Sequence, residues 1–203
     1  MRPGDVEAWL GDRAEEMAAL VDALVRVPTE NPPGRVLGRC AGLLSEAMER
    51  LGCAPELIRL APAGPLEDPA IVRGQLGTGS GLVYFHGHFD VVPAQSPSQF
   101  EPRRAEGRIT GRGTADMKGG LVSVLYGAAA ARELGLLGDR RIVLHFVCDE
   151  ETGSTAGSGH LRGRADRPVG ASHADRRADR GRTRARRAAA LRAVDGGHRT
   201  RRA

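Results

Sequence analysis

Residues Arg141–Cys148 read RIVLHFVC, a continuous apolar run of strand length with no period-two alternation. Such a run is buried on both faces, which in small proteins means a central strand with helices layered over the sheet. A second apolar segment, Leu82–Phe85, runs into Gly87-His88-Phe89-Asp90. Between them lies an Ala/Leu/Val-rich stretch, about Met117 to Leu134, long enough for a helix. Strand, crossover helix and strand predict an α/β fold: a mixed, largely parallel sheet flanked by helices. Apolar residues at helical spacing over 5–26 and 36–51 predict two further helices, the first ended by Pro28 and the second by Gly52. Glu56–Leu60 and Ala70–Leu76 read as short strands and 94–108 as a polar loop. Ligands in such sheets gather beyond the carboxyl ends of the strands.

Three polar segments lie at those ends: GHFDVVP at 87–93, GRGTADMKGG at 111–120 and DEETGS at 149–154. His88 and Asp90 are two apart, so in extended chain both side chains lie on one side. One ring nitrogen of His88 can bind metal while Asp90 accepts the proton on the other. Alone, this pair would read as a strand-end histidine beside a solvated acid. His86, two residues earlier, is a weaker candidate for an outer group. Asp116 stands at a loop-to-helix junction, where a simple N-cap is the ordinary reading. Glycines on both sides of it favour a carboxylate held between cations, with Gly111 and Gly113 free to take unusual backbone angles and Gly119-Gly120 allowing close packing. Glu150 and Glu151 follow the most apolar strand. If the chain is extended there, one can bind metal while the other faces substrate as general base. Asp149 reads as structural. One histidine with several carboxylates suits Zn²⁺ or a similar ion. Two such ions ~3.5–4 Å apart would polarise a carbonyl and bring the pKa of a bridging water toward ~7.

The three segments together resemble the co-catalytic zinc peptidase and deacylase family that includes acetylornithine deacetylase, succinyl-diaminopimelate desuccinylase, aminoacylase and glutamate carboxypeptidase. The resemblance covers residues 5–161. It implies His88 as ligand of one metal, Asp116 as the bridging carboxylate and Glu151 as ligand of the other metal. It also implies catalytic roles for Asp90, behind His88, and for Glu150 as general base. It further implies a cis peptide at Asp116–Met117, two Zn²⁺ ions (Co²⁺ as a substitute) and a small N-acyl amino acid or peptide as substrate. Family members continue with a further acidic ligand, a dimerisation domain and a final histidine ligand, none recognisable after Leu161. The expected organisation is therefore the amino-terminal part of a metallohydrolase catalytic domain over 1–161, with the dimerisation domain absent, and a separate tail over 162–203. A chain lacking those ligands is expected to be inactive or nearly so.

The tail has a different composition. Residues 1–160 carry a net charge of −5 and residues 161–203 one of +10, so the overall +5 belongs to the tail. Four scattered aliphatics in the tail cannot offset ~1–2 kcal/mol of backbone entropy per residue, which predicts disorder. Its Arg/Ala/Gly/Asp composition also matches a GC-rich gene read out of frame, so a non-native tail is expected. The alternative is a nucleic-acid or anionic-surface binder acting through this Arg-rich segment. No aromatic interleaves with the arginines to stack on bases, so no nucleic-acid partner is expected. No run approaches the ~18–20 apolar residues of a membrane span, and no membrane partner is expected. Cys40, Cys53 and Cys148 form no CxxC pair and fit buried thiols of a cytoplasmic protein.

Overall fold

A computed structural model describes residues 3–162. The expectations for the Arg-rich tail lie outside the described residues. The amino-terminal helical region is two helices, α1 (Pro3–Gly11) and α2 (Ala14–Val25), where the spacing predicts one. The break falls after Gly11, a poor helix former. There the Arg13 guanidinium turns back, 3.8 Å from the Trp9 ring centroid, and donates to the Trp9 carbonyl (3.1 Å). After a loop comes α3 (Leu37–Arg50). Gly52 stops it as expected, in the left-handed region (φ 63°), with the Gly52 and Cys53 amides donating to Glu49 and Met48 carbonyls.

The sheet has four strands: β1 (Ala54–Arg59), β2 (Ala70–Leu76), β3 (Gly81–His88) and β6 (Arg140–Val147). Their order is β1-β2-β6-β3, which places the apolar run in the interior of the sheet. β6 pairs antiparallel with β2 and parallel with β3. The parallel pair is joined by helix α4 (Gly119–Glu133), the predicted crossover. Its register sets His88 opposite Val147, and the Phe89 amide continues the ladder to the Val147 carbonyl (3.0 Å). The first and third polar segments therefore leave the sheet side by side.

The main core lies between one sheet face and helices α2, α3 and α4. Leu24, Leu44, Met48, Leu125, Leu144 and Phe146 are among its fully enclosed side chains. A smaller cluster, Ile71, Val147 and Leu161, sits on the other face under the short helix α5 (Gly157–Leu161). The predicted polar loop at 94–108 contains a small hairpin, β4 (Arg103–Ala105) with β5 (Arg108–Thr110). Its turn residues Glu106 and Gly107 both have positive φ, as a two-residue hairpin turn requires. The hairpin strands bury almost nothing, so no apolar alternation announced them. Arg104 ties the hairpin to α2 through Asp22 (2.8 Å) and Glu15.

The face opposite the helices carries a polar ladder across all four strands. Glu56 pairs with Arg73 (3.0 Å), Arg73 Nε donates to His145 Nε2 (2.8 Å), and His145 Nδ1 meets the Tyr84 hydroxyl. Arg73 can only donate, so His145 Nε2 accepts and its one proton sits on Nδ1. His145 is fully buried, and burial together with Arg73 pushes its pKa down to about 3. A folded pKa below the unfolded one means the unfolded chain binds more protons between about pH 6.5 and 3. The contribution is therefore complete above pH 6.5 and lost as pH falls through that window. Urea unfolding from pH 7 to pH 4 is expected to show His145→Gln losing about 2–3 kcal/mol less stability than the parent chain. Parallel losses in the two proteins would contradict a neutral buried His145.

Candidate metal centre

Asp116 occupies a wide turn, Thr114–Lys118, that precedes α4. Gly113 enters this turn with φ 81°, and a Cβ on Gly119 would stand 2.6 Å from the Thr114 carbonyl oxygen, so both positions need glycine. Gly120 is different: a Cβ there would meet only ordinary contacts. Asp116 is no helix cap. Its backbone (φ −128°, ψ 97°) is extended, and its carboxylate stands largely in solvent. The Asp116–Met117 peptide is cis, as the resemblance implied. Two residues on, Lys118 is fully buried and donates to the Leu24 and Val27 carbonyls at the end of α2 (2.9 Å each). The ammonium thus fastens the Asp116 turn to the first helical layer.

His88 closes β3 and is 6 % exposed. Its Nδ1 lies 3.1 Å from the Asp90 carbonyl oxygen and 3.2 Å from Asp90 Oδ1. Both are acceptors, so the proton of the neutral ring belongs on Nδ1, and Nε2 keeps a lone pair. Nε2 faces Asp116 Oδ1 at 3.1 Å and Glu150 Oε2 at 3.9 Å. His88, Asp116 and Glu151 each offer a ligand atom, all within 4.8 Å of one another. This is the set expected to hold metal. Glu150 stands beside it, and His86 does not join it: its ring contacts Ser158 Oγ (3.1 Å).

Asp90 is fully buried. Its Oδ1 accepts the Glu150 amide (3.2 Å), and its Oδ2 accepts the Glu151 amide (3.1 Å) and Asn31 Nδ2 (2.9 Å). Burial alone would raise its pKa, but the hydrogen bonds from His88, Asn31 and Glu151 outweigh that and hold it below the usual carboxylate range. The same bonds correct one expectation. Glu150 and Glu151 lie in a tight 3₁₀ turn, Glu150–Thr152, and not in extended chain. Their two amides point at one carboxylate, which curls the backbone. Strand alternation therefore does not separate their side chains. Asp149 is structural, as expected: it is buried and accepts the Ala156 amide (2.6 Å).

The group is acidic. Burial, with Asp116, Asp90 and Glu150 nearby, raises the Glu151 pKa against the opposing pull of His88. A cation among these carboxylates would relieve that repulsion, and the donor types, one imidazole and several oxygens, suit a divalent ion. Beside them opens a cavity of about 260 Å³, lined by Val91, Val92, residues 111–116 and Glu151.

Residues 84–189 match peptidase family M20/M25/M40. The chain belongs to this family. Among its curated relatives is an N-formyl-4-amino-5-aminomethyl-2-methylpyrimidine deformylase from Halalkalibacterium halodurans, 30 % identical over 151 residues, covering 72 % of this chain and 35 % of the relative. Human carnosine dipeptidase 1 shares the fold with a TM-score of 0.69 at 22 % identity, over 80 % of this chain and 38 % of that one. An M20 family metallo-carboxypeptidase from Sulfolobus solfataricus does so with a TM-score of 0.63 at 20 % identity, over 73 % and 34 %. The chain thus spans about a third of the length of these relatives. Membership implies divalent-metal use, and the His88–Asp116–Glu151 cluster is where the described residues could supply it.

Sequence reasoning missed both Asn31 and the anchoring role of Lys118. Nothing in a Pro-rich loop marks one amide as a donor to a carboxylate 59 positions away.

In the metal-free chain, burial lowers the His88 pKa, but hydrogen bonds to Asp90 and Asp116 outweigh it and push it up to about 9. A pKa raised above its unfolded value stabilises fully below about pH 6.5 and is lost as pH rises through 9. The stability gap between the parent chain and His88→Gln in EDTA is expected to shrink by about 1–3 kcal/mol from pH 6 to pH 10. A gap independent of pH in urea titrations would contradict a charged His88 in the metal-free site.

Proposed function

We propose that this chain carries the amino-terminal half of an amide-hydrolase centre that uses two divalent ions, with zinc as the metal and cobalt as a substitute. The observation that carries this reading is the convergence of His88, Asp116 and Glu151 at the carboxyl end of the parallel strand pair, in a chain of this family. His88 Nε2 would hold one ion, Glu151 the other, and Asp116 would bridge them. Bound there, such ions would polarise a scissile carbonyl and make a water nucleophilic near neutral pH.

The chain's own residues supply the remainder. Asp90 keeps the His88 proton on Nδ1, so that Nε2 faces the cluster. Glu150, 3.9 Å from His88 Nε2 and half exposed, stands free of the ligand set and would take a proton from the attacking water on Oε2. The same carboxyl would deliver it to the leaving nitrogen, completing hydrolysis without a covalent intermediate. The substrate class is a small N-acyl or N-formyl amine or a short peptide, in keeping with a deformylase and a dipeptidase among the similar proteins. Three free, buried cysteines support a reducing, cytoplasmic setting.

Catalytic zinc usually keeps three protein ligands. Among the described residues each ion would have two: His88 with Asp116, and Asp116 with Glu151. The 203-residue chain is therefore proposed to bind zinc weakly and to turn over little. Titration against a chromophoric chelator should give a Kd of about 10 μM or weaker, further weakened by His88→Ala and Glu151→Gln. Glu150→Gln should leave zinc affinity in place and cut any residual hydrolysis of an N-formyl amino acid by about 10²- to 10⁴-fold. Zinc binding indifferent to His88 and Glu151 would refute the site. Submicromolar binding together with Glu150-dependent turnover on the order of 1 s⁻¹ or faster would refute the weak-activity reading.

A further inference from the structure

Asn31 lies in the loop after α2, is 1 % exposed and belongs to none of the three polar segments. Its Nδ2 reaches three acceptors: Asp90 Oδ2 (2.9 Å), Thr152 Oγ1 (2.9 Å) and the Cys148 carbonyl (3.4 Å). One amide group thus joins the first segment to the third. Its orientation is fixed by chemistry, because a flipped amide would set its oxygen against a carboxylate and a carbonyl. Its Oδ1 is buried and has no hydrogen-bond partner among the described residues. An amide whose oxygen goes unpaired gives the loop little, so what it contributes comes from its donor side.

The backbone around Asn31 is fastened independently. The Asn31 amide donates to the Val91 carbonyl (2.9 Å), the Val91 amide to the Thr29 carbonyl (2.9 Å), and the Thr29 hydroxyl to the Phe89 carbonyl. These bonds hold the loop against residues 89–91 without the Asn31 side chain, which is left to act on Asp90 and the Cys148–Thr152 segment.

We propose that Asn31 is a positioning residue: by holding Asp90 Oδ2 and the following turn together, it sets where His88 and the Glu150–Glu151 pair stand. The inference rests on the proposed metal site for its consequence, though not for its geometry. Outer partners of metal ligands commonly change metal affinity 10- to 100-fold when removed. A residue with only a stabilising role would affect the whole domain alike.

Amide hydrogen exchange in the metal-free 203-residue chain separates the two. Asn31→Ala should speed exchange at the Glu150 and Glu151 amides by about tenfold or more over Leu66→Ala, compared at equal thermal midpoint. Leu66 is buried beside Gly34 of the same loop and its backbone hydrogen bonds run to Ala63, so it reports general loosening. Asn31→Leu, of similar size but without the donor, should behave as Asn31→Ala does and decides the matter if the alanine variant does not fold. Zinc affinity by chelator competition should fall about tenfold in both Asn31 variants and stay within about twofold in Leu66→Ala. Exchange at Glu150 and Glu151 within about twofold of the Leu66→Ala values would overturn the proposal. Should the parent chain bind no zinc, the metal reading fails, while the exchange comparison still decides the role of Asn31.

Discussion

A carboxylate taken out of water needs its lone pairs filled, and Asp90 fills them with the parts of the site itself. The Glu150 and Glu151 amides, the Asn31 side chain and the His88 ring all converge on it. The donors come from three separate segments: the end of β3, the loop after α2 and the acidic turn. The electrostatic need of one buried group therefore orders the His88 ring and the acidic turn together. Charge-assisted bonds of this kind are about twice as strong as neutral ones, and low dielectric strengthens them further. Asp116 is held from another direction. Lys118 carries its turn to the end of α2, and the same chain runs on through Val27 to Asn31. The Leu24–Asn31 segment thus braces both sides of the cluster.

The sheet makes this convergence possible before any polar contact forms. β3 and β6 run parallel in register, so His88 and Val147 end side by side and the two polar segments emerge as neighbours. The crossover helix α4 returns the chain along the sheet, and its entry turn presents Asp116 to the same end. β6 is buried along most of its length and β3 is laddered to it from Gly81 to His88, so side chains mounted at the ends of the pair keep their spacing.

Much of this was legible in the residues. RIVLHFVC read as an interior strand, and Ile142 to Val147 are all buried there. GHFD, GRGTADMKGG and DEE carried His88, Asp116 and Glu151, which the fold brings within 4.8 Å. What stayed illegible depends on contacts that no local pattern encodes. The 3₁₀ turn at Glu150 follows from a carboxylate 60 residues earlier. The break between α1 and α2 depends on Arg13 meeting the Trp9 ring and carbonyl as well as on Gly11. The hairpin at 103–110 buries too little to leave an apolar signature. His145 looked like one more member of an apolar run, yet it is the middle of a polar ladder across the sheet.

The proposed centre needs Asp90 to hold the His88 ring with Nε2 toward the metal. X-ray absorption at the zinc edge of the zinc-loaded chain tests this directly, because imidazole scattering is distinguishable from oxygen donors. The parent chain is expected to show an imidazole nitrogen at ~2.0–2.1 Å with the remaining donors oxygen. Asp90→Ala is expected to lose or halve the imidazole signal although His88 is intact. An imidazole contribution unchanged by Asp90→Ala, or zinc bound through sulfur, would contradict the account.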